Sequence, residues 1–239
     1  MNLNQQIEAW LISRKGSFRS ANRPFVTLAY AQSWDGSITT RQGESLPLSG
    51  TESIRLTHQL RSLHDGILVG IGTVLTDNPQ LAVREWQGQN PQPVVLDSLL
   101  RMPSTAKLLQ HPDKRCWILT SQDSHNNLEQ HAEIFTLKDE NATEQQIPLT
   151  SALSFLMNKG ISTLMVEGGA RVITAFLKAG LADALVMTVA PRFIGGYKAV
   201  GDLGLIPVNQ LPQIHPIHWS NLGEDLIVWG DLQYGKPVS

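Results

Sequence analysis

Four short runs constrain this chain most: "FVTLAYAQS" at 25–33, "GILVG" at 66–70, "PVVLDS" at 93–98 and "CWILTS" at 116–121. Each is apolar almost throughout instead of alternating, and each is bounded by turn-forming residues. A strand without a polar face has to be covered on both sides, as in a parallel sheet held between helical layers. The segments between the runs supply those layers. "LSGTESIRLTHQLRSLH" at 48–64 reads as a helix, with Ser49 or Thr51 available as its cap. "LTSALSFLMNKG" and "ARVITAFLKAG" read as helices closed by Gly160 and Gly180. "STLMVEGG" is a further strand, "ALVMTVAPRFIGG" at 184–196 a long one, and "SITT" a short one. "IHPIHWSNLG" and "EDLIVWGDL" close the chain as two strands at the sheet's edge. The expected class is α/β: a central, mostly parallel mixed sheet, helices on both faces, antiparallel C-terminal strands.

Residues 1–22 read as an N-terminal helix and linker, and 23–239 as one domain. Leu3, Ile7, Trp10 and Leu11 have helical spacing over 3–14, and the polar stretch 14–24 follows. Between Ser121 and Gln146 the chain is polar, a peripheral region with one weak strand, "EIFTL".

Composition removes several classes of function. Of the 239 residues, 41% are hydrophobic and 17% charged, the balance of a globular chain. The net charge of −2, with no long basic run, gives no electrostatic support for nucleic acid or an anionic membrane. No apolar run approaches the ~18 residues of a membrane span, and the N-terminus lacks the pattern of a secretory signal. Cys116 is the single cysteine, so an intrachain disulfide is impossible, and a small core residue is the expected role. The expected location is the cytoplasm.

Two places run strand, glycine turn, helix: "ILVGIGTVL" and "LMVEGGARVITAFL". Helix N-termini there can receive phosphate, although a tight turn is the commoner meaning of such glycines. Neither matches the dinucleotide fingerprint G-x-G-x-x-G, because Leu75 stands at the third place of the first and the spacing of Gly168 and Gly169 differs. Glu167 ends an apolar strand just before the second glycine turn, where ligands of open α/β sheets gather. Asp35 lies in a "WDG" turn. Arg61 and Arg84 each offer a planar fork for phosphate or a solvated surface charge. The histidines do not cluster: His215 and His218 on one strand point to opposite faces, and no metal site is assigned. A G-x-S-x-G elbow is absent.

Taken in order, "RPFVTLAYAQSWDGSITT", "GESLPLSG", "LRSLHDGILVGIGTVLTDNPQLAVR", "NPQPVVLDSLLRMP" and "LMVEGGARVITAFLKAGLADALVMTVAPRFIGG" resemble the reductase domain of riboflavin biosynthesis. The resemblance covers about residues 23 to 232. It implies a dihydrofolate-reductase-like fold and NADPH-dependent reduction of the ribosyl side chain of a pyrimidine nucleotide to ribityl. It places Ala31, Pro47, Thr73, Asp77, Ser98 and the turn Gly168, Gly169, Ala170, Arg171 and Val172 at the cofactor. Arg101, beside Ser98, is added as a partner for the 2′-phosphate on its charge and position. Ser45, Arg61, Leu81, Arg84 and Glu167 fall at substrate positions, with Arg61 and Arg84 on the 5′-phosphate and Glu167 facing the reacting sugar. Glu167, Asp35 or water is the candidate proton donor.

Two departures from the family pattern stand out. Many members carry a basic residue where this chain has Ser37, and a tryptophan near Leu46 and Pro47. The zinc deaminase signature that accompanies the domain in bifunctional members is missing, so deamination is expected from a separate chain. A homodimer is expected. The competing readings are a relict domain that binds NADPH or nucleotide without turnover, and a same-fold reductase of another substrate such as a pterin, which carries no phosphate for the arginines.

Overall fold

The apolar runs become strands whose two faces are both buried. In the computed structural model, which describes residues 1–20, 22–123, 127–137, 147–204 and 207–235, they are β1 (Phe25–Ser33), β3 (Gly66–Gly70), β4 (Gln92–Leu96) and β5 (Cys116–Thr120). With β6 (Ala132–Thr136), β7 (Thr163–Val166), β8 (Ala184–Ala190), β10 (Gln213–Leu222) and β11 (Asp225–Gln233) they form one sheet, ordered β10-β11-β8-β1-β7-β3-β4-β5-β6. All neighbours are parallel from β8 to β6; β11 pairs antiparallel with β8, and β10 with β11. This is the mixed sheet expected from the apolar pattern.

Alternate residues of each strand feed opposite layers. Ala29, Ile67, Val69, Val95, Ile118 and Met165 face α1 (Leu3–Ser17), α2 (Thr51–Ser62) and α3 (Ile71–Asp77). Val26, Leu28, Leu68, Val94, Leu119 and Val166 face α4 (Leu149–Asn158) and α5 (Ala170–Lys178). Gly160 and Gly180 follow α4 and α5 with φ of +89° and +64°, the left-handed backbone that glycine adopts without strain. Cys116 is fully buried, and burial pushes its thiol pKa well up, which suits a packing role.

Three local expectations need correction. The first helix continues to Ser17, three residues past 14, and Phe18 just beyond it packs edge-on against Phe25 with ring centroids 5.5 Å apart. Neither Ser49 nor Thr51 caps α2: Gly50 is its N-cap, and Asp225 on β11 accepts the Gly50 N–H at 2.8 Å. The carboxylate satisfies the N-cap's own amide, and no side chain caps the first turn of the helix. The strand from Ala184 stops at Ala190, and the chain then crosses to β9 (Tyr197–Lys198), which pairs with β2 (Ser37–Thr39) in a separate antiparallel ribbon. The polar stretch 124–126 and 138–146 lies outside the described residues.

Two glycines of the strand–turn–helix motifs serve packing. A Cβ on Gly168 would lie 2.9 Å from Val172 Cβ, and one on Gly70 2.8 Å from Val172 Cγ2. Their absence lets the start of α5 sit against the end of β3. Gly70→Ala is expected to lower stability by about 1–3 kcal/mol in urea unfolding, because its Cβ meets a Val172 methyl that alanine at 172 would lack. Adding Val172→Ala should recover most of that loss; no recovery would disprove the steric account.

Candidate active site

The connections leave β1 and β7 in opposite directions. From β1 the chain passes through α2 to β3 on one side; from β7 it passes through α5 to β8 on the other. The helices lie on opposite faces, so a crevice opens at the carboxyl ends of β1 and β7, the place where open α/β sheets bind ligands. A cleft of about 280 Å³ is found there, with Ala29–Ala31, Val186 and Thr188 along the strands and Thr57, His58 and Arg61 from α2. Arg84 and Glu167 close its walls.

Glu167 follows β7 directly, and its backbone N–H donates to Leu68 O at 3.1 Å, which extends the β3 pairing by one residue. Its carboxylate meets Arg61 in a bidentate pair: Nε–H donates to Oε2 at 2.8 Å and an Nη2–H to Oε1 at 2.6 Å. An Nη1–H of Arg61 donates to Ala82 O at 3.0 Å. Burial works against the guanidinium charge, but the carboxylate outweighs it and Arg61 stays charged. Arg84 is exposed, with one Nη1–H directed at Gln80 Oε1 at 3.2 Å. The structure therefore brings Arg61, Arg84 and Glu167 to one cleft, although they are far apart in sequence. Leu81 lies elsewhere: its side chain is 1% exposed in the core, and its φ of +59° is left-handed, a conformation that costs a leucine about 1 kcal/mol or more. Only its backbone is left for a ligand.

The cofactor candidates spread over neighbouring loops. Gly169 is the N-cap of α5, no side chain caps that helix, and its N–H donates to Thr73 Oγ1 at 3.0 Å. Thr73 and the Gly168–Val172 turn are thus in contact. Asp77 and Arg84 border a polar hollow with Gln80 and Lys107, next to the cleft. Ala31 lies in the cleft wall. Ser98 and Arg101 follow β4, beyond β3. Ser45 and Pro47 are exposed in the loop between β2 and α2, outside the cleft lining.

Asp35 occupies a different environment. Its Oδ1 accepts from Ser33 Oγ at 2.6 Å and Ile194 N at 2.9 Å. Its Oδ2 accepts from Lys198 Nζ at 2.7 Å, Ser37 Oγ at 2.7 Å and Gly195 N at 2.9 Å. Lys198 foremost, with these other donors, holds the carboxyl far below the usual carboxylate range. Asp35 is an ionised acceptor that ties the β1–β2 turn to residues 194–198. Lys198 also donates to Ser37 Oγ at 3.1 Å, and the two residues pair across the ribbon. An ammonium therefore stands beside position 37 after all, supplied by the opposite strand. Asp35→Asn should leave amides 194 and 195 exchanging about tenfold faster or more, read by hydrogen exchange. Unchanged protection would contradict this role.

Sequence reasoning missed His58 and Lys198. His58 had a signal, being three residues before Arg61 on a predicted helix and so on the same face. Lys198 had none, because β2–β9 pairing joins positions far apart in the chain.

Sheet, crevice and uncapped helix together define an open α/β domain with a cleft at a strand-order switch. The chain belongs to the RibD C-terminal domain family, whose model matches residues 24–228. It is 35% identical over 188 residues to the 2,5-diamino-6-ribosylamino-4(3H)-pyrimidinone 5′-phosphate reductase of Archaeoglobus fulgidus, covering 73% of this chain and 83% of that one. It is 34% identical over 217 residues to the reductase of the same name from Methanothermobacter thermautotrophicus, covering 86% and 97%. Riboflavin biosynthesis protein RibD of Aquifex aeolicus is 32% identical over 217 residues; the match covers 89% of this chain but only 59% of that protein. The structure aligns with Saccharomyces cerevisiae riboflavin biosynthesis reductase Rib7 at a TM-score of 0.78 and 27% identity, covering 98% and 100% of the two chains. The fold is that of the riboflavin reductases.

Proposed function

We propose that the protein reduces the ribosylamino side chain of a 5-amino-6-(5-phosphoribosylamino)pyrimidine to ribityl, with NADPH as reductant. The observation that carries this reading is the cleft in which Arg61, Glu167 and Arg84 converge, in a family with relatives named for reducing such a phosphate. The substrate needs a cation for its 5′-phosphate and an acceptor for its sugar hydroxyls. Arg84 is exposed and can exchange its side-chain hydrogen bond to Gln80 for one to a phosphate oxygen. Arg61 spends three of its N–H groups on Glu167 and Ala82, which leaves part of its fork for the ligand. Glu167, oriented by Arg61, accepts from the sugar.

NADPH supplies the hydride when bound. The residues present fit it: α5 begins without a side-chain cap, Gly169 has no Cβ to block approach, and Thr73 stands beside it. Ala31, Asp77, Ser98 and Arg101 are the further candidates for the cofactor. Opening of the sugar ring requires a proton at the ring oxygen. Asp35 is a poor source because its donors keep it ionised, and Glu167 is engaged with Arg61, so the proton is assigned to water. We assign Asp35 to holding the turn instead.

The chain is proposed to act in the cytoplasm as a homodimer, with a separate deaminase in the same pathway. The test is NADPH oxidation by purified protein, with the deaminated and the diamino substrate offered separately. Turnover of one is expected. Turnover of neither, with NADPH still bound, would reject the reaction and favour a binding role.

A further inference from the structure

One side chain in the cleft has no task in the reaction as described. His58 lies on α2, 3% exposed, and lines the cleft with Arg61 and Arg84. The backbone N–H of Arg84 donates to His58 Nδ1 at 3.1 Å. Nδ1 is thereby the acceptor nitrogen, and a neutral ring carries its hydrogen on Nε2. Burial, followed by the charges of Arg61 and Arg84, pushes the pKa down to about 4 against the opposing pull of Glu167 and Glu85, so the ring is neutral at ordinary pH. Among the described residues Nε2 has no hydrogen-bond partner, and it does not count among the buried orphaned atoms. A donor is left facing the cleft.

We propose that His58 is a specificity residue for the phosphosugar: Nε2–H donates to an oxygen of the substrate's phosphoribosyl group while Nδ1 fixes the backbone that carries Arg84. The inference rests on the reading of this cleft as a phosphosugar site. A neutral donor suits that place because it adds a directed hydrogen bond beside two arginines without a third positive charge. The same ring holds the backbone of the exposed Arg84, so ligand oxygen and arginine are registered against one group.

The two nitrogens can be tested separately. In His58→Asn the amide oxygen can replace Nδ1 as acceptor for Arg84, but no donor reaches the Nε2 position. In His58→Gln the amide nitrogen reaches the Nε2 position. Titration calorimetry with ribose 5-phosphate should show affinity falling about tenfold in H58N and recovering only in part in H58Q, which restores the donor but leaves the Arg84 N–H without its acceptor. With the nucleotide substrate, KM should rise in H58N by more than kcat falls. Nitrogen NMR of the wild-type ring needs no variant: Nε2 should be the protonated nitrogen, and its resonance should shift on adding ribose 5-phosphate. Wild-type affinity in H58N, no binding of ribose 5-phosphate, or an unmoved Nε2 signal would each overturn the proposal. If wild type binds ribose 5-phosphate through His58 but does not oxidise NADPH with either nucleotide, the reductase reading fails and this one stands.

Discussion

Glu167→Gln is expected to lower turnover with the pyrimidine nucleotide about a hundredfold or more, while NADPH affinity stays within about twofold. Glutamine keeps the length of the side chain and one acceptor oxygen, but it places an NH2 where Arg61 now donates to a second oxygen. The bidentate clamp is lost, and with it the fixed direction from which the sugar is held. The buried guanidinium also loses its counter-charge, so a stability loss of roughly 1–3 kcal/mol should accompany the kinetic effect. Steady-state kinetics with a separate NADPH titration checks the split. Loss of both activities together would show that the carboxylate holds up the whole crevice; loss of neither would remove Glu167 from the site.

Acid should destabilise the protein well before its carboxylates protonate. His64, just after α2, is fully enclosed: Nδ1–H donates to Leu60 O at 2.7 Å, and the Thr27 hydroxyl donates to Nε2 at 2.8 Å. Burial, then the nearby Lys15 ammonium, pushes its pKa down from 6.5 to about 3. The unfolded chain then binds the proton more readily than the folded one. The contribution of His64 is therefore complete above about pH 6.5 and is lost progressively as pH falls towards about 3. Over the first two pH units below 6.5 the expected loss is about 2 kcal/mol, and over the full range on the order of 4 kcal/mol. His58 adds to the same slope, since its pKa is lowered to about 4. Urea unfolding across this range should show the decline, and His64→Gln should flatten it while lowering stability at neutral pH. An unchanged slope in the variant would assign the acid sensitivity elsewhere.

The parts of the fold that were legible in sequence are those with a local or periodic cause. The continuous apolar runs announced β1, β3, β4 and β5 because nothing else buries both faces of so short a segment. Gly160 and Gly180 announced helix ends because both positions need a left-handed backbone. Long-range substitutes for local signals were not legible. The N-cap of α2 is Gly50, which has no side chain to cap with, and its own N–H is satisfied by Asp225, 175 positions away. Lys198 reaches Ser37 across a ribbon of two short strands, and no periodicity marks a pairing of that length. In the site, a carboxylate at a strand end pointed to Glu167, and the planar fork that suits phosphate pointed to Arg61 and Arg84. The pairing of Arg61 with Glu167 was invisible, because it depends on how α2 lies over β7.

The first helix has a bearing on where this protein can be cut. Leu3, Ile7 and Leu11 are buried in the same core as Leu56 and Leu60 of α2. Asn4 Nδ2 donates to Gln59 Oε1 at 2.6 Å, and Gln59 Nε2 donates to Glu8 Oε2 at 3.0 Å. Lys15 Nζ donates to Leu63 O. These contacts reach α2 from behind, on the helix that presents His58 and Arg61 to the cleft. The family match begins only at residue 24. A chain trimmed to that boundary would keep every residue assigned to ligand and lose the splint that holds two of them at the right height.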